Sequence, residues 1–287
     1  MLTLVSRVRR SLTLSPTIGL WTLVGRSLAR TAGLFAAISI MLAGFEIALI
    51  AVAASFSSAN DFARLSQLMS QIMPGFVQSA FGPAMLSFGA MTTVCYYDPL
   101  VVMMAVQFAV FLATEPAGEI EGGLVDLVLA RPLPRHWLIS RSVLVMTAGA
   151  FLPTFAMGLA TWVGLRLLAP AGARWPEARV VLLMMIHLAT VSWCFGGAGL
   201  AAATWSRRRG AAQAAVAIAS VALYLIDVIG ESWARAHLLA RLLPFHYYHG
   251  AAILRGTANA VLDLSVLSGI GVAGIALAYW QFGRRDL

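Results

Sequence analysis

The sequence predicts an all-α polytopic membrane protein from three features: an apolar composition, six long apolar runs, and the placement of the arginines. Of the 287 residues, 60% are hydrophobic and 11% are charged, and the mean hydropathy is +0.83. A water-soluble domain of this composition would have little polar surface to show to water, whereas lipid tails solvate apolar surface. We therefore expect one membrane domain over 31–287, preceded by a cytoplasmic or interfacial segment over 1–30.

Six apolar runs are long enough to cross about 30 Å of hydrocarbon as helices. They cover 31–54, 99–114, 142–168, 180–205, 211–230 and 261–282. A seventh run, 76–97, is free of charge but contains Gly82, Pro83 and Gly89, which weaken a helix. Because irregular backbone cannot face lipid, 76–97 is expected to form an outer re-entrant or interfacial hairpin packed against protein. The long outer loop over 231–260 is expected to lie on the membrane surface.

The arginines orient the spans, since basic residues are enriched in cytoplasmic segments. With six spans and both termini inside, 13 of the 20 basic residues are cytoplasmic and 7 are outside, whereas a seventh crossing would give 11 and 9. Six spans are therefore favoured. The basic residues flank apolar runs and form no continuous basic domain, so nucleic acid is not an expected partner and membrane lipids are.

The N-terminal segment has the pattern of a helix lying in the headgroup layer. Trp21, Val24 and Leu28 fall at helical spacing, and Arg26 and Arg30 fall on another side. Tryptophan and arginine next to a span are typical interfacial anchors. No long apolar core accompanies these residues, so the segment does not have the pattern of a cleaved signal peptide.

The basic residues are all arginines, and the absence of lysine excludes two kinds of chemistry. A phosphate-binding loop needs a lysine on the terminal phosphates, and a Schiff-base enzyme needs a lysine amine. No catalytic residues and no cofactor are therefore assigned to this chain, and any ATP hydrolysis must come from a partner. Cys95 and Cys194 lie far apart in the sequence and do not indicate a disulfide framework.

The most informative motif lies between the second and third spans, over 115–141, and is called the coupling segment below. Acidic residues come first and basic residues follow, which suits the dipole of a short helix over 119–130 that stops before Pro132. The acids are Glu115, Glu119, Glu121 and Asp126, and the bases are Arg131, Arg135 and Arg141. Two interpretations stay open: a helix folded against its own bundle, or a surface for a partner.

The coupling segment resembles that of ABC-2 type transporter permeases, in their six-span, NosY-like branch. The resemblance rests on Glu119-x-Glu121-x-Gly123 followed by Asp126-Leu-Val-Leu-Ala-Arg131-Pro132-x-x-Arg135, and on Leu-Pro-Phe-His-Tyr-Tyr at 243–248 before the last span. The sequence departs from the family pattern at four positions. Gly122 replaces the usual base, Leu124 the usual Thr, Pro134 the usual Ser and Arg141 the usual Lys.

The resemblance implies an exporter subunit that dimerises, with a second identical copy expected, and binds two copies of an ABC ATPase on its cytoplasmic face. The ATPase would bind ATP and Mg²⁺, and this chain would not. Glu119, Glu121 and Asp126 would then contact the ATPase, while Arg131 and Arg135 would anchor the turn at the headgroups. The resemblance and the lysine-free composition also imply a bacterial plasma membrane.

Polar side chains within the apolar runs are candidates for a substrate path. They are Glu46, Gln107, His187, Ser220, Tyr224 and Asp227. A bare carboxylate inside a span costs roughly 3 kcal/mol, so Glu46 is expected to be protonated, paired or facing a wet cavity. Small and hydroxyl residues serve helix packing equally well, and the glycines of spans 4 and 6 indicate close helix contacts.

A metal site is not expected. His246 and His249 are three residues apart and could sit together, but no third cysteine, histidine or acid stands at helical spacing beside them. Placement in the aromatic belt at the membrane interface is the default for this segment.

Two other functions compete with the exporter subunit. A proton-coupled secondary transporter would use Glu46 and Asp227 as carriers, but the sequence shows no inverted repeat. An intramembrane enzyme would need a recognisable catalytic motif, and neither a Gly-x-Ser-x-Gly elbow nor a His-Glu-x-x-His helix occurs.

The topology can be tested by introducing single cysteines into predicted loops. A cysteine at Gly210 should react with an impermeant thiol reagent only from the cytoplasmic side, and one at Gly172 only from outside. Labelling of both positions from one side would contradict the six-span topology.

Overall fold

The computed structural model describes residues 16–56, 64, 67, 68, 71, 87–123, 136–232 and 242–284, and within these ranges it contains helices and no strand. The elements bounded in these ranges are α1 (Pro16–Ser55), α2 (Phe88–Met91), a first 3₁₀ turn (Val94–Tyr97), α3 (Pro99–Ala113), α4 (Glu115–Glu121), α5 (His136–Leu168), α6 (Ala178–Trp205), α7 (Arg209–Ser232), a second 3₁₀ turn (Pro244–Tyr247), α8 (Gly250–Leu254) and α9 (Ala260–Arg284).

Six helical segments of the described chain are long and apolar enough to cross a membrane. They are Gly19–Ser55, Phe88–Ala113, His136–Leu168, Ala178–Trp205, Arg209–Gly230 and Ala260–Arg284. Each corresponds to one of the six predicted runs, and the second ends one residue before its run does, at Ala113. The chain is an all-α, multi-pass membrane protein.

The first helix is longer than the sequence pattern predicted. α1 runs unbroken for 40 residues, about 60 Å, which is twice the thickness of the hydrocarbon core. Val24 is buried and Trp21 is exposed on its first half. A separate helix lying in the headgroup layer over 1–30 is not confirmed, because the helix continues from Pro16 into the first span; residues 1–15 lie outside the described residues.

The second span combines an irregular part with a helical part. α3 has 15 residues and measures about 22 Å, too short to cross the hydrocarbon alone. The segment 88–97 completes the crossing through α2 and the first 3₁₀ turn, and its side chains are buried except that of Tyr97. Asp98 separates the two parts, because its carboxylate accepts a hydrogen bond from the Leu100 amide and Pro99 follows as the first helical residue.

The irregular backbone of 88–97 is packed against protein, as the sequence analysis expected of run 76–97. Gly89 shows why a small residue is needed: a Cβ there would lie 2.9 Å from the Arg174 carbonyl oxygen, on the connection between α5 and α6. The earlier part of the run, 76–86, lies outside the described residues.

α6 is the central helix of the bundle and packs against α3, α5, α7 and α9. Glycines allow the closest of these contacts, as predicted for spans 4 and 6. A Cβ on Gly197 would lie 2.5 Å from the Gly271 carbonyl oxygen, and a Cβ on Gly274 would lie 2.6 Å from the Gly197 carbonyl carbon. α6 and α9 therefore meet backbone to backbone, which is a common way for helices to associate in membranes.

The helices run antiparallel and give the bundle two ends. The end that carries α4 and the start of α7 is called the α4 end. The end that carries 88–98, the α5–α6 connection and 242–259 is called the opposite end. Gly172, at the opposite end, has φ +82° and strains any cysteine placed there, so the exposed neighbour Ala171 is the better labelling position.

The glycine contact between α6 and α9 predicts a stability effect. Gly197→Ala should destabilise the protein by about 1–3 kcal/mol, because the added methyl group meets backbone atoms that cannot move aside. Gly269→Ala on α9 is the matched control, since its Cβ would meet nothing within 4 Å. Thermal unfolding in detergent measures both variants, and equal melting temperatures would contradict the close contact.

Candidate functional site

A buried ion pair fixes α4 against the bundle. Arg141, near the start of α5, donates from Nη1 to Glu119 Oε1 at 2.7 Å and from Nη2 to Glu119 Oε2 at 3.0 Å. Both side chains are at most one tenth exposed. Arg141 Nη2 also lies 3.7 Å from Glu115 Oε2, so one guanidinium serves two carboxylates of α4. This two-bond arrangement is the strongest geometry for an arginine and a carboxylate.

The same carboxylates join α4 to α1. Glu115 forms an ion pair with Arg30 and accepts a hydrogen bond from the Ser27 hydroxyl at 3.2 Å. Ser27 is buried, while Arg30 is more than half exposed, so the inner contact is shielded from water and the outer one is not. α1, α4 and α5 are therefore held together by charged groups in one cluster, defined here as the Arg141 cluster: Ser27, Arg30, Glu115, Glu119 and Arg141.

The other side of α4 contacts the start of α7. The Arg209 backbone amide donates to Glu121 Oε2 at 2.9 Å, so this carboxylate satisfies a free N–H group at a helix N-terminus. The Arg209 guanidinium donates to the Phe111 carbonyl at 2.9 Å and lies over the Phe111 ring. A Cβ on Gly118 would lie 2.9 Å from Arg209 Cδ, so the glycine gives this side chain room.

The helix of the coupling segment differs from the prediction. It spans Glu115–Glu121 rather than 119–130, and it ends because Gly122 and Gly123 follow. Gly123 has φ +65°, the left-handed conformation that ends helices and that glycine adopts without strain. The acids were expected to mark a helix start, but only Glu115 lies in the first turn. Asp126, Arg131, Pro132 and Arg135 lie outside the described residues.

The acids of the coupling segment divide into inward-facing and outward-facing groups. Glu115 and Glu119 are buried and face the bundle, which favours the interpretation of a helix folded against its own spans for these two residues. Glu121 is exposed, as are Gly122 and Gly123. Within the described part of the segment, Glu121 is the acid that a partner could reach.

Glu46 lies in a second polar cluster, inside the first span. Its carboxylate is fully buried and accepts a hydrogen bond from the Thr161 hydroxyl at 2.8 Å, and Thr161 lies 2.6 Å from the Tyr96 hydroxyl. The second oxygen, Glu46 Oε2, has no hydrogen-bond partner among the described residues. Of the three expectations for Glu46, the structure shows a polar partner, the Thr161 hydroxyl.

The polar residues of α7 lie on one face and contact α3 and the opposite end. Gln107 Nε2 of α3 donates to Ser220 Oγ at 2.8 Å, and Gln213 Nε2 donates to Thr114 Oγ1 at 3.1 Å. One helical turn on, Tyr224 meets the Phe245 ring edge-on with centroids 5.3 Å apart. These contacts agree with the helix-packing interpretation of this face, and its role in a substrate path stays a prediction.

His187 is also enclosed by the bundle. It is fully buried on α6, and its Nδ1 lies 2.7 Å from the Leu183 carbonyl oxygen one turn earlier. Of the six residues predicted to line a substrate path, four are buried in the single chain: Glu46, His187, Ser220 and Asp227. The other two, Gln107 and Tyr224, are partly buried.

The segment before the last span is inserted into the bundle at the opposite end. Phe245 is buried and stacks on Phe195 of α6, with ring centroids 4.9 Å apart. Tyr248 is buried and donates its hydroxyl to the Tyr96 carbonyl. Burial raises the pKa of Tyr248 well above its usual range, so this donor keeps its proton at physiological pH. For 242–254, placement on the membrane surface is not confirmed, because Phe245, Tyr248 and Ile253 are buried in the bundle.

This insertion brings together residues that sequence spacing kept apart. Asp227 near the end of α7 lies beside His246, with Asp227 Oδ1 and His246 Nδ1 3.9 Å apart, and His249 completes the group. The sequence offered no third ligand near the two histidines because the third comes from another helix. The only available signal was that Asp227 lies just before the predicted outer loop, which contains both histidines.

Comparisons with known proteins do not assign the chain to a family. No protein-family model matches the sequence, and no curated protein matches it.

The Arg141 cluster predicts different roles for two acids of α4. Glu119→Gln removes the charge that balances a buried arginine, so it should destabilise the protein by about 3 kcal/mol. Glu121→Gln should change stability by roughly 1 kcal/mol or less, because its carboxylate is exposed and only a helix-terminus contact weakens. Thermal unfolding in detergent compares the two variants. Equal losses of stability would show that the Glu119–Arg141 ion pair stabilises the protein no more than the exposed Glu121 contact does.

Proposed function

We propose that this chain is the membrane subunit of an ABC exporter of the ABC-2 type. Two copies form the membrane dimer, and two copies of a separate ATPase subunit dock at the α4 end, which faces the cytoplasm together with both termini. The ATPase binds ATP and Mg²⁺. The membrane is the plasma membrane of a bacterium.

The observation that carries the proposal is the position of α4. This helix lies at one end of the bundle, directly between the second and third spans, and is held by ion pairs and hydrogen bonds to α1, α5 and α7. Any force applied at Glu121 is therefore passed to three membrane helices through short, charge-assisted contacts. A helix meant only to close a loop would not need charged contacts on both of its sides.

The composition supports a separate source of energy. The chain has no lysine for a phosphate-binding loop, and no known ATP-binding motif replaces it. Work on a cargo must then be driven from outside the chain, and the exposed acid at the α4 end offers a place for a basic or polar surface of an ATPase.

The exposed surface of the bundle supports contact with lipids and with a second copy. α7 exposes an apolar stripe at helical spacing, formed by Ile218, Val221, Leu225 and Ile229. α9 is similarly exposed along most of its length, with Val261, Val272 and Trp280 on the surface. Such faces are stable against hydrocarbon or against an identical helix, and the dimer would bury a part of them.

The proton-coupled transporter has less support. Its proposed carriers, Glu46 and Asp227, lie in separate clusters with separate partners, Thr161 for the first and His246 for the second. Both carboxylates are buried, and no described residue links one to the other.

Charge reversal at the exposed acid tests the proposal. Glu121→Arg should abolish recovery of the ATPase in a pull-down, because like charges juxtaposed at a docked interface cost several kcal/mol. Glu119 is unsuitable for this test, since its reversal would break the buried pair with Arg141 and unfold the site. Glu177→Arg, an exposed acid at the opposite end, is the matched control and should leave recovery unchanged.

Two results would contradict the proposal. Equal recovery of the ATPase with Glu121→Arg and wild type at physiological salt would place docking elsewhere. Loss of recovery with Glu177→Arg, while Glu121→Arg still binds, would mean that the partner uses the opposite end. A melting temperature for each variant in detergent separates lost docking from lost folding.

A further inference from the structure

Three side chains capable of binding a metal meet at the opposite end of the bundle. Asp227, His246 and His249 each offer one ligand atom, and these atoms all lie within 4.8 Å of one another. The two imidazole rings are nearly perpendicular, with centroids 5.0 Å apart. Two of the groups come from the segment before the last span, and the third comes from α7.

Local structure places the two histidines side by side. His246 lies in the second 3₁₀ turn, Pro244–Tyr247, and His249 follows it in extended backbone as the N-cap of α8. The neighbours Phe245 and Tyr248 are buried in the bundle on either side of His246. The backbone that carries the imidazoles is therefore anchored by packing, which is what a binding site requires of its supporting residues.

The distances suit coordination better than a direct hydrogen bond between the side chains. Asp227 Oδ1 and His246 Nδ1 are 3.9 Å apart, beyond the usual hydrogen-bond length of about 3 Å. Ligand atoms that each sit about 2.0–2.2 Å from a zinc ion lie roughly 3–4 Å from one another. Small rotations of the imidazoles would bring all three atoms into that range.

Access and charge also suit a cation. The Asp227 side chain is 9% exposed and that of His246 is 28% exposed, so the carboxylate lies inside while an imidazole reaches the surface. A buried carboxylate near the end of an apolar helix is stabilised by a bound cation.

A second acid lies at the same end of the bundle. Asp263 is in the first turn of α9, the helix that follows the inserted segment. Among the described residues, the opposite end and the adjoining turns of α6, α7 and α9 therefore carry His187, His246 and His249 together with Asp227 and Asp263.

We propose that Asp227, His246 and His249 bind a divalent transition-metal ion such as Zn²⁺, with a fourth position open to water or another ligand. Two imidazoles and one carboxylate favour such ions, whereas Ca²⁺ and Mg²⁺ prefer oxygen ligands throughout. The bound ion would tie the inserted segment 242–249 to the end of α7. The site does not depend on the exporter proposal, because none of its residues belongs to the coupling segment.

Metal binding by the purified full-length protein tests the site. The protein is isolated in detergent through a tag without histidines, stripped with EDTA, and titrated with Co²⁺ and then Zn²⁺. We expect one ion per chain, a visible Co²⁺ absorption band that Zn²⁺ removes, and a melting temperature that rises with Zn²⁺. His246→Ala, His249→Ala and Asp227→Asn should each weaken Zn²⁺ affinity by at least about tenfold.

Controls separate the site from general binding and from misfolding. His136→Ala, an exposed histidine at the α4 end, should bind Zn²⁺ as the wild type does. His246→Gln keeps a polar side chain of similar size, so it serves if the alanine variant fails to fold. No Zn²⁺ binding by the wild type, or unchanged affinity in folded His246→Gln, would overturn the proposal and leave the group as a polar packing cluster.

Discussion

The position of α4 depends on one buried arginine, and the arrangement of the α4 end follows from it. Arg141 is almost fully buried and is balanced by Glu119 and Glu115, so neither the arginine nor the acids can be removed alone without leaving an uncompensated charge. The acids come from α4 and the arginine from α5, and Glu115 adds α1 through Arg30. Charge balance therefore fixes the relative positions of three helices that apolar packing alone would hold in many similar registers.

A second constraint shapes the opposite end: backbone N–H and C=O groups that lie away from water need hydrogen-bond partners. Two irregular segments of the described chain meet at that end: 88–98, which begins the second span, and 242–249, which precedes the last span. Tyr96, Phe245 and Tyr248 are buried in the bundle, and the segments contact each other where Tyr248 donates to the Tyr96 carbonyl. Gly250 packs directly on the Tyr97 ring, where a larger residue would not fit. The two segments shield each other's backbone from lipid, which neither could tolerate alone.

Elements whose signal is local could be predicted from the sequence, and contacts between distant elements could not. Six apolar runs gave six crossing helices, because length and hydropathy are properties of the run itself. The charge gradient over 115–135 predicted a helix over 119–130. The helix instead ends at Glu121, because Gly122 and Gly123 follow. The burial of Glu119 was missed because it depends on Arg141, 22 residues away. Asp227 joins His246 and His249 only through the fold, so no spacing rule could find that group.

α7 connects the two ends of the bundle, so a movement at one end can be transmitted along this helix to the other. Its first residue, Arg209, is held by Glu121 of α4, and Asp227 lies five turns further along, about 27 Å away at the opposite end. A helix of this length moves nearly as a rigid body when it is packed along one face, as α7 is through Gln107 and Ser220. A displacement of α4 would therefore change the distance between Asp227 and the two histidines, which sit on a different segment. Conversely, an ion that joins Asp227 to His246 would restrain α7 and, through Arg209, the position of α4.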